Sequence, residues 1–491
     1  MTKMIRWWLA LPMAAALAGC MEEDGGVASG GSGGAPRSIS ASDKQQGSQA
    51  HPQLLAEFGG LYSGSQAGYV TTVGRKIAVE SGLSNSQGDF TISLLNSPVN
   101  NAFAIPGGYV YVTRQLLALM NDEAELASVL GHEVGHVAAR HSARRQSAST
   151  ITQVLAAGLG ALTGSSELGQ LAGYGAQLYT LKFSRDQEYQ ADDLGIRYLA
   201  SAGYDPQAAA SMLASLNAQS SLDARLSGAE SRSVPSWAST HPNTADRVAR
   251  ARQRATATGS TSTLRNRDAF LNAVNGVLYD DDPKQGIVDG RSFRHPDLRL
   301  GFTVPQGFTM ANGAQAVSIT GSGGQAQFSG GKLGSGGLSG HIDSVFTALG
   351  GGQTAIPHGE LRTTTVNGIE AAYSSTTANS NGGQVDVTVF AYHWDASNAY
   401  HFVLITQAGS GLGPFSSLVN SMTRLTTEQA NAIQSRRITV VTVGPGDTAT
   451  SLANRMAYAD NKLERFRVLN ALDANATLRV GQKVKLVVLT R

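Results

Sequence analysis

The chain has 491 residues, 41% of them hydrophobic, and its 38 Lys and Arg against 36 Asp and Glu leave a formal net charge of +2. That length exceeds what one core serves, and roughly two to four domains are expected. A near-neutral total excludes a global field for nucleic acid, and one cysteine, Cys20, excludes an internal disulfide.

The opening residues carry an address. Lys3 and Arg6 precede an apolar run at 7–18 that is too short for a good membrane span, and the small residues Ala18 and Gly19 lead into Cys20. This resembles a bacterial lipoprotein signal. The resemblance implies removal of residues 1–19, acylation of Cys20 and a lipid-anchored chain in the periplasm. Met21 rather than Asp follows the cysteine, which leans to the outer over the inner membrane.

Residues 20–50 are rich in Gly, Ser, Ala and Gln and read as a flexible linker, with ordered sequence from Pro52 onward. Residues 54–80 have helical apolar spacing and residues 90–95 alternate as a strand. Pro106-Gly107-Gly108 between two alternating runs, 100–105 and 109–113, reads as a hairpin. Its first strand, with Asn101, Ala102, Phe103 and Ala104, is expected to be an edge that pairs with an extended substrate.

Residues 122–145 read as a helix capped by Asn121, with acidic residues first and arginines last. Within it lies Gly131-His132-Glu133-Val134-Gly135-His136, the pattern H-E-x-x-H. Histidines four apart project from one helical face and can grip one zinc ion, and Glu133 between them can take a proton from water. Gly131 and Gly135 each cost about 1 kcal/mol of helix propensity against alanine, and the bare backbone is expected to admit a strand or substrate.

Two histidines are an incomplete site, since a catalytic zinc takes three protein ligands and one open position. His141 lies off the shared face. Glu188, 52 positions past His136, is the better third ligand. It sits on a helix opened by the capping box Ser184-x-x-Gln187. Asp192, one turn on, is placed to orient a ligand histidine through its other nitrogen. The apolar run 150–180 reads as a buried helix or a lid. Asp205-Pro206 starts a helix to about 216, residues 217–238 are a Ser-rich loop, and another helix is expected over 243–255. His241, in Ser239-Thr240-His241-Pro242, is open between a fourth zinc ligand in a latent state, a donor to the oxyanion and a packed loop residue. Arg247 is placed to pair with Asp192 or Glu133.

His132-Glu133-x-x-His136, Ser184-Arg185-x-x-Glu188-x-x-Ala191-Asp192, Ser239-Thr240-His241-Pro242 and Asn101-Ala102-Phe103-Ala104-x-Pro106-Gly107-Gly108 occur in this order over residues 55–255. Together they resemble the HtpX-like and CAAX-prenyl-protease-like zinc metallopeptidases. The resemblance implies a gluzincin with His132, His136 and Glu188 on Zn2+ and zinc-activated water attacking a peptide carbonyl with Glu133 as general base. It further implies misfolded or misassembled envelope proteins as substrates, in the manner of a periplasmic branch.

Within residues 283–430, alternating runs such as 300–304, 385–392 and 402–406, separated by Gly, Ser and Asn, read as a β-rich α+β domain; 296–308 and 368–373 faintly resemble a PsbP/Mog-like sandwich. The histidines here, His295, His341, His358, His393 and His401, lack ligand spacing. Residues 436–491, with Gly446-Asp447-Thr448, Leu469-Asn470 and Val480-Gly481-Gln482, resemble a LysM module, a β-α-α-β fold that binds peptidoglycan. The expectation is thus an α+β multidomain chain: a mainly helical zincin-type peptidase domain (51–282) with a small hairpin, then the β-rich and LysM-like units. Its expected partners are protein substrates, the membrane through Cys20, and peptidoglycan, with no nucleic acid. A rival is a weakly active or autoinhibited chaperone or scaffold bound to peptidoglycan.

Overall fold

The structure is a computed structural model that describes residues 38–83, 87–142, 183–226, 237, 241, 245–351, 356–380 and 383–490. Cys20 and the apolar run 150–180 lie outside the described residues. No helix among the described residues is long and apolar enough to cross a membrane.

The first helix, α1 (Ala41–Glu57), starts well inside the stretch expected to be linker. Ser40 caps it by accepting from Asp43 N. Composition hid its first part, 41–50, because the one buried residue of that stretch is Gly47, while Leu54 and His51 further on make the larger contacts. Gly47 lies so close to the hairpin that a Cβ there would sit 2.2 Å from the Pro106 carbonyl oxygen. The helical pattern of residues 54–80 is two helices rather than one. Gly59 and Gly60, at φ +78 and +83, break it before α2 (Ser65–Val79).

Strands β1 (Thr91–Leu95), β2 (Ala102–Ile105) and β3 (Tyr109–Thr113) form a sheet in the order β1-β3-β2. The β2–β3 hairpin turns through Gly107 and Gly108, both at positive φ, as the Pro-Gly-Gly sequence demands. β2 is an edge, as expected. A short helix α3 (Arg114–Leu119) leads into α4 (Glu123–Ala138).

Helix α4 departs from expectation at both ends. Asp122, not Asn121, is the cap, its carboxylate accepting from Glu125 N at 2.9 Å. The helix stops at Ala138 rather than 145, because Arg140 enters the left-handed region at φ +54. Helix α5 (Arg185–Ser201) opens on the complete capping box of Ser184 and Gln187 and ends before Gly203 at φ +81. Helix α6 (Ala208–Leu226) continues ten residues into the expected Ser-rich loop, and Leu222 is buried on it. Helices α7 (Ala245–Ala257) and α8 (Arg267–Val274) complete the helical layer.

The glycines of the zinc motif serve helix packing, not a strand or a substrate. A Cβ at Gly135 would lie 3.0 Å from the Ala191 carbonyl oxygen, and one at Gly195 would lie 2.9 Å from His132 N. Small residues one turn apart on α4 (Gly131, Gly135) and α5 (Ala191, Gly195) let the two backbones touch. That contact sets Glu188 and Asp192 opposite the two histidines.

Past the short β4 (Leu278–Tyr279), the β-rich region contributes two sheets. Strands β5 (Ile287–Asp289), β6 (Ser292–His295) and β7 (Leu300–Thr303) join β15 (Thr423–Arg424) in the order β15-β7-β6-β5. The larger sheet uses β8 (Phe308–Asn312), β9 (Val317–Gly321), β10 (Gly324–Lys332), β11 (Arg362–Val366), β12 (Ile369–Ser380), β13 (Gly383–His393) and β14 (Asn398–Gln407). Its order is β11-β12-β13-β14-β10-β9-β8. Helix α9 (Gly337–Leu349) covers one face through Ile342, Val345, Phe346 and Leu349, and an aromatic core around Phe302, Phe328 and Phe402 fills the other. His341 and His401 pair at 3.0 Å inside this region.

The C-terminal unit runs β16 (Ser435–Thr442), α10 (Ala449–Asn454), α11 (Lys462–Leu469), β17 (Lys483–Thr490), the expected β-α-α-β order. It shares a hydrophobic core with the helical layer, and β4 pairs with β16 to extend its sheet. Lys485 on β17 is fully buried and donates to the carbonyls of Ala118 (2.7 Å) and Leu119 (3.1 Å) at the end of α3 and of Met120 just after it.

Candidate active site

Helix α4 supplies His132, Glu133 and His136, and α5 supplies Glu188 and Asp192, all buried. His241 and Arg247, the latter on α7, are each 1% exposed and close the group from a third side. His132, His136, Glu188 and His241 each offer one donor atom, and these atoms lie within 4.8 Å of one another. No other such cluster occurs among the described residues.

Hydrogen bonds around the rim fix which nitrogens face inward. Asp192 Oδ1 lies 2.9 Å from His132 Nδ1. A carboxylate only accepts, so the proton sits on Nδ1 and the Nε2 lone pair points to the centre. Arg247 holds that carboxylate with Nε to Oδ2 at 2.9 Å and Nη2 to Oδ1 at 2.7 Å, and it reaches Glu188 Oε2 at 2.8 Å through Nη1. Arg247 thus pairs with Asp192 and Glu188.

His136 is oriented by a residue that sequence reasoning set aside. His141 Nε2 lies 3.0 Å from Gln190 Oε1, and its Nδ1 lies 2.8 Å from His136 Nδ1. The amide oxygen fixes the His141 proton on Nε2, so His136 donates from Nδ1 and turns its own Nε2 inward. The left-handed Arg140 folds His141 back under the helix, a turn invisible to helical spacing. Two further residues lacked a motif. Phe183 stacks on His136 at 3.9 Å between centroids, and Trp237 stacks on His241 at 4.8 Å. Trp237 N donates to Asn100 O (2.7 Å), and His241 N donates to Trp237 O (2.8 Å). A lone Trp in a Ser-rich run was the available signal.

The centre itself favours a cation. His132 Nε2 and His136 Nε2, both presenting lone pairs, stand 3.0 Å apart. His241 Nδ1 lies 3.3 Å from His132 Nε2 and 2.9 Å from Glu188 Oε1. Three imidazoles and a carboxylate make a nitrogen and oxygen donor set suited to zinc. Burial would raise Glu188, but His241, His132 and Arg247 together hold it below its ordinary value. Burial drives His136 well below its ordinary value, helped by the neighbouring His132, His241 and His141. Glu133 is pushed up to about 7 by burial, with His132 opposing and Glu188 adding to the rise.

Residues 64–255 match the model of Peptidase family M48, and residues 441–487 match the LysM domain. The chain carries an M48 peptidase domain. Over 212 residues it is 32% identical to the beta-barrel assembly-enhancing protease of Yersinia pestis, covering 41% of this chain and 42% of that protein. Over 216 residues it is 31% identical to the mitochondrial metalloendopeptidase OMA1 of Schizosaccharomyces pombe, covering 42% and 59%. Over 162 residues it is 32% identical to metalloprotease LoiP of Escherichia coli, covering 32% and 60%. The chain therefore spans between 42% and 60% of the lengths of these curated relatives. The M48 family is zinc-dependent, and the buried donor group of this domain is built to match.

Beside the M48 centre runs β2. The Phe103 ring is stacked on Tyr111 at 4.7 Å. Ala104 faces the opposite side. Neither atom of the Asn101 carboxamide, in a residue 1% exposed, has a hydrogen-bond partner among the described residues.

Proposed function

We propose that the chain is a zinc-dependent endopeptidase acting on misfolded or misassembled cell-envelope proteins. The observation that carries the catalytic reading is the pair of inward lone pairs on His132 and His136, 3.0 Å apart, with Glu188 and Glu133 beside them. His132, His136 and Glu188 would hold the ion. When bound, zinc supplies a Lewis acid that polarises the scissile carbonyl and acidifies water. Glu133 accepts a proton at a carboxylate oxygen and returns it to the leaving amine; a carboxyl pushed up to about 7 suits both transfers. Asp192 with Arg247, and His141 with Gln190, keep the two imidazoles in one tautomer. The β2 edge holds the peptide extended, and the Asn101 amide supplies the unmatched polar group a peptide backbone would satisfy.

The envelope address rests on the lipoprotein-like start at Cys20, the LysM domain and the relative described as enhancing beta-barrel assembly. We place the chain in the periplasm, anchored through Cys20 to the outer membrane and held against peptidoglycan by the LysM domain. Chelating the metal should abolish casein cleavage by the full chain, and one equivalent of zinc should restore it. Cleavage that survives with no measurable zinc would refute the assignment.

A second reading concerns rest. His241 Nδ1 lies among the donors, and the residue is 1% exposed. We propose that it serves as a fourth donor that closes the site until substrate displaces it. On this basis His241→Ala retains zinc and cuts casein several-fold faster. A fall of tenfold or more at full zinc would instead make His241 an assistant to the chemistry.

A further inference from the structure

The last turn of α4, the β2 edge and residues 38–43 enclose a cavity of about 350 Å3, and His136 forms part of its wall. The cavity therefore opens beside the metal donors. Ile39, Leu83, Ala104, Ile105 and Val137 give it a mainly apolar lining, to which the serines at 38, 40 and 142 add hydroxyls. At its rim Asp43 and Arg140 pair at 3.4 Å, with the arginine side chain 61% exposed, so the two charges offset each other in water.

Two sequence choices keep this space open. Alternation along β2 sends the bulky Phe103 to the far face, against Phe58 and Tyr111, and puts the methyl group of Ala104 on the cavity side. Ile39 reaches in from the N-terminal segment because Gly108 lacks a side chain. A Cβ at Gly108 would sit 2.7 Å from Ile39 Cδ1, and its φ of +82 itself favours glycine.

We propose that this cavity receives a bulky apolar side chain of the substrate at one position near the scissile bond, and that the N-terminal segment sets its size through Ile39. The inference rests on the peptidase reading of the neighbouring centre. A peptide laid along β2 toward the donors must pass the mouth of the cavity. An aliphatic or aromatic side chain there leaves water against walls that are mainly apolar, whereas a charged one would lose more hydration than the few hydroxyls return. A preference for exposed apolar side chains is what selection of unfolded protein requires.

The test uses the full-length, zinc-loaded chain and peptides that carry Ala, Leu, Phe or Asp at each position flanking one cleavable bond. At one position, Phe or Leu is expected to exceed Ala in kcat/KM by about tenfold or more, with Asp poorest. Ala104→Leu fills the cavity and should bring the Phe-to-Ala ratio to about one, while Ile39→Ala enlarges it and should move the optimum toward Trp. Binding gives a second readout. In the Glu133→Gln background, Ala104→Leu should raise the Kd of a fluorescent Phe peptide about tenfold by anisotropy. If both variants cut with the wild-type preference, the pocket assignment falls and the peptidase reading stands. If zinc-loaded wild type cuts none of the peptides, the peptidase reading falls and takes the pocket with it.

Discussion

Glu133→Gln is expected to keep its zinc and to lower kcat/KM on casein-derived peptides by about a thousandfold, the middle of the range for a lost general base. Glutamine preserves the shape of a side chain that is 0% exposed, so the fold and the three donors around it should persist. What it removes is proton affinity. The carboxyl, held up to about 7 mainly by burial, exchanges a proton near neutral pH, and an amide cannot. Zinc content and cleavage must be measured on one preparation. Retained zinc with lost cleavage supports the assignment, and cleavage within a few-fold of wild type at full zinc would sink it.

Gly195→Val should be the most damaging change among residues that donate nothing to the metal. A Cβ at this position would lie 2.9 Å from His132 N and 3.0 Å from Gly131 C, and both are backbone atoms of α4 that cannot swing aside. Helices α4 and α5 would have to separate, at about 1–3 kcal/mol or more of overpacking strain. The same separation pulls Glu188 and Asp192 away from His132 and His136, so zinc affinity should fall with stability. Competition against a zinc-binding dye, alongside thermal denaturation, tests this. A variant that melts like wild type and binds zinc equally well would show that the close contact is dispensable.

Much of the centre was legible because its information is local. H-E-x-x-H places two imidazoles on one face whatever surrounds the helix, and a capping box marks where Glu188 and Asp192 begin to face inward. The hairpin was equally plain, since Pro-Gly-Gly between alternating runs admits few other folds. What escaped depends on contacts distant in sequence or on single unusual dihedrals. His141 reaches His136 only because Arg140 is left-handed. The partner of Gly131 and Gly135 was misjudged because bare backbone in a helix does not say what approaches it. The first part of helix α1, 41–50, was read as linker because Gly47 is the one buried residue in that stretch. The order of the large sheet, with β10 between β14 and β9, follows from long-range pairing that no local pattern encodes.

Lys485 is a fully buried lysine on the last strand of the small C-terminal unit. Its ammonium bonds peptide carbonyls just ahead of the zinc-binding helix, and β4 is lent to that unit's own sheet. Cutting the chain ahead of residue 435 would therefore not detach a passenger. It would open the foundation of the catalytic half and leave Leu278 and its neighbours facing water. The C-terminal unit and the helix that carries the zinc motif are therefore one mechanical body, so a load placed on either is felt by the other.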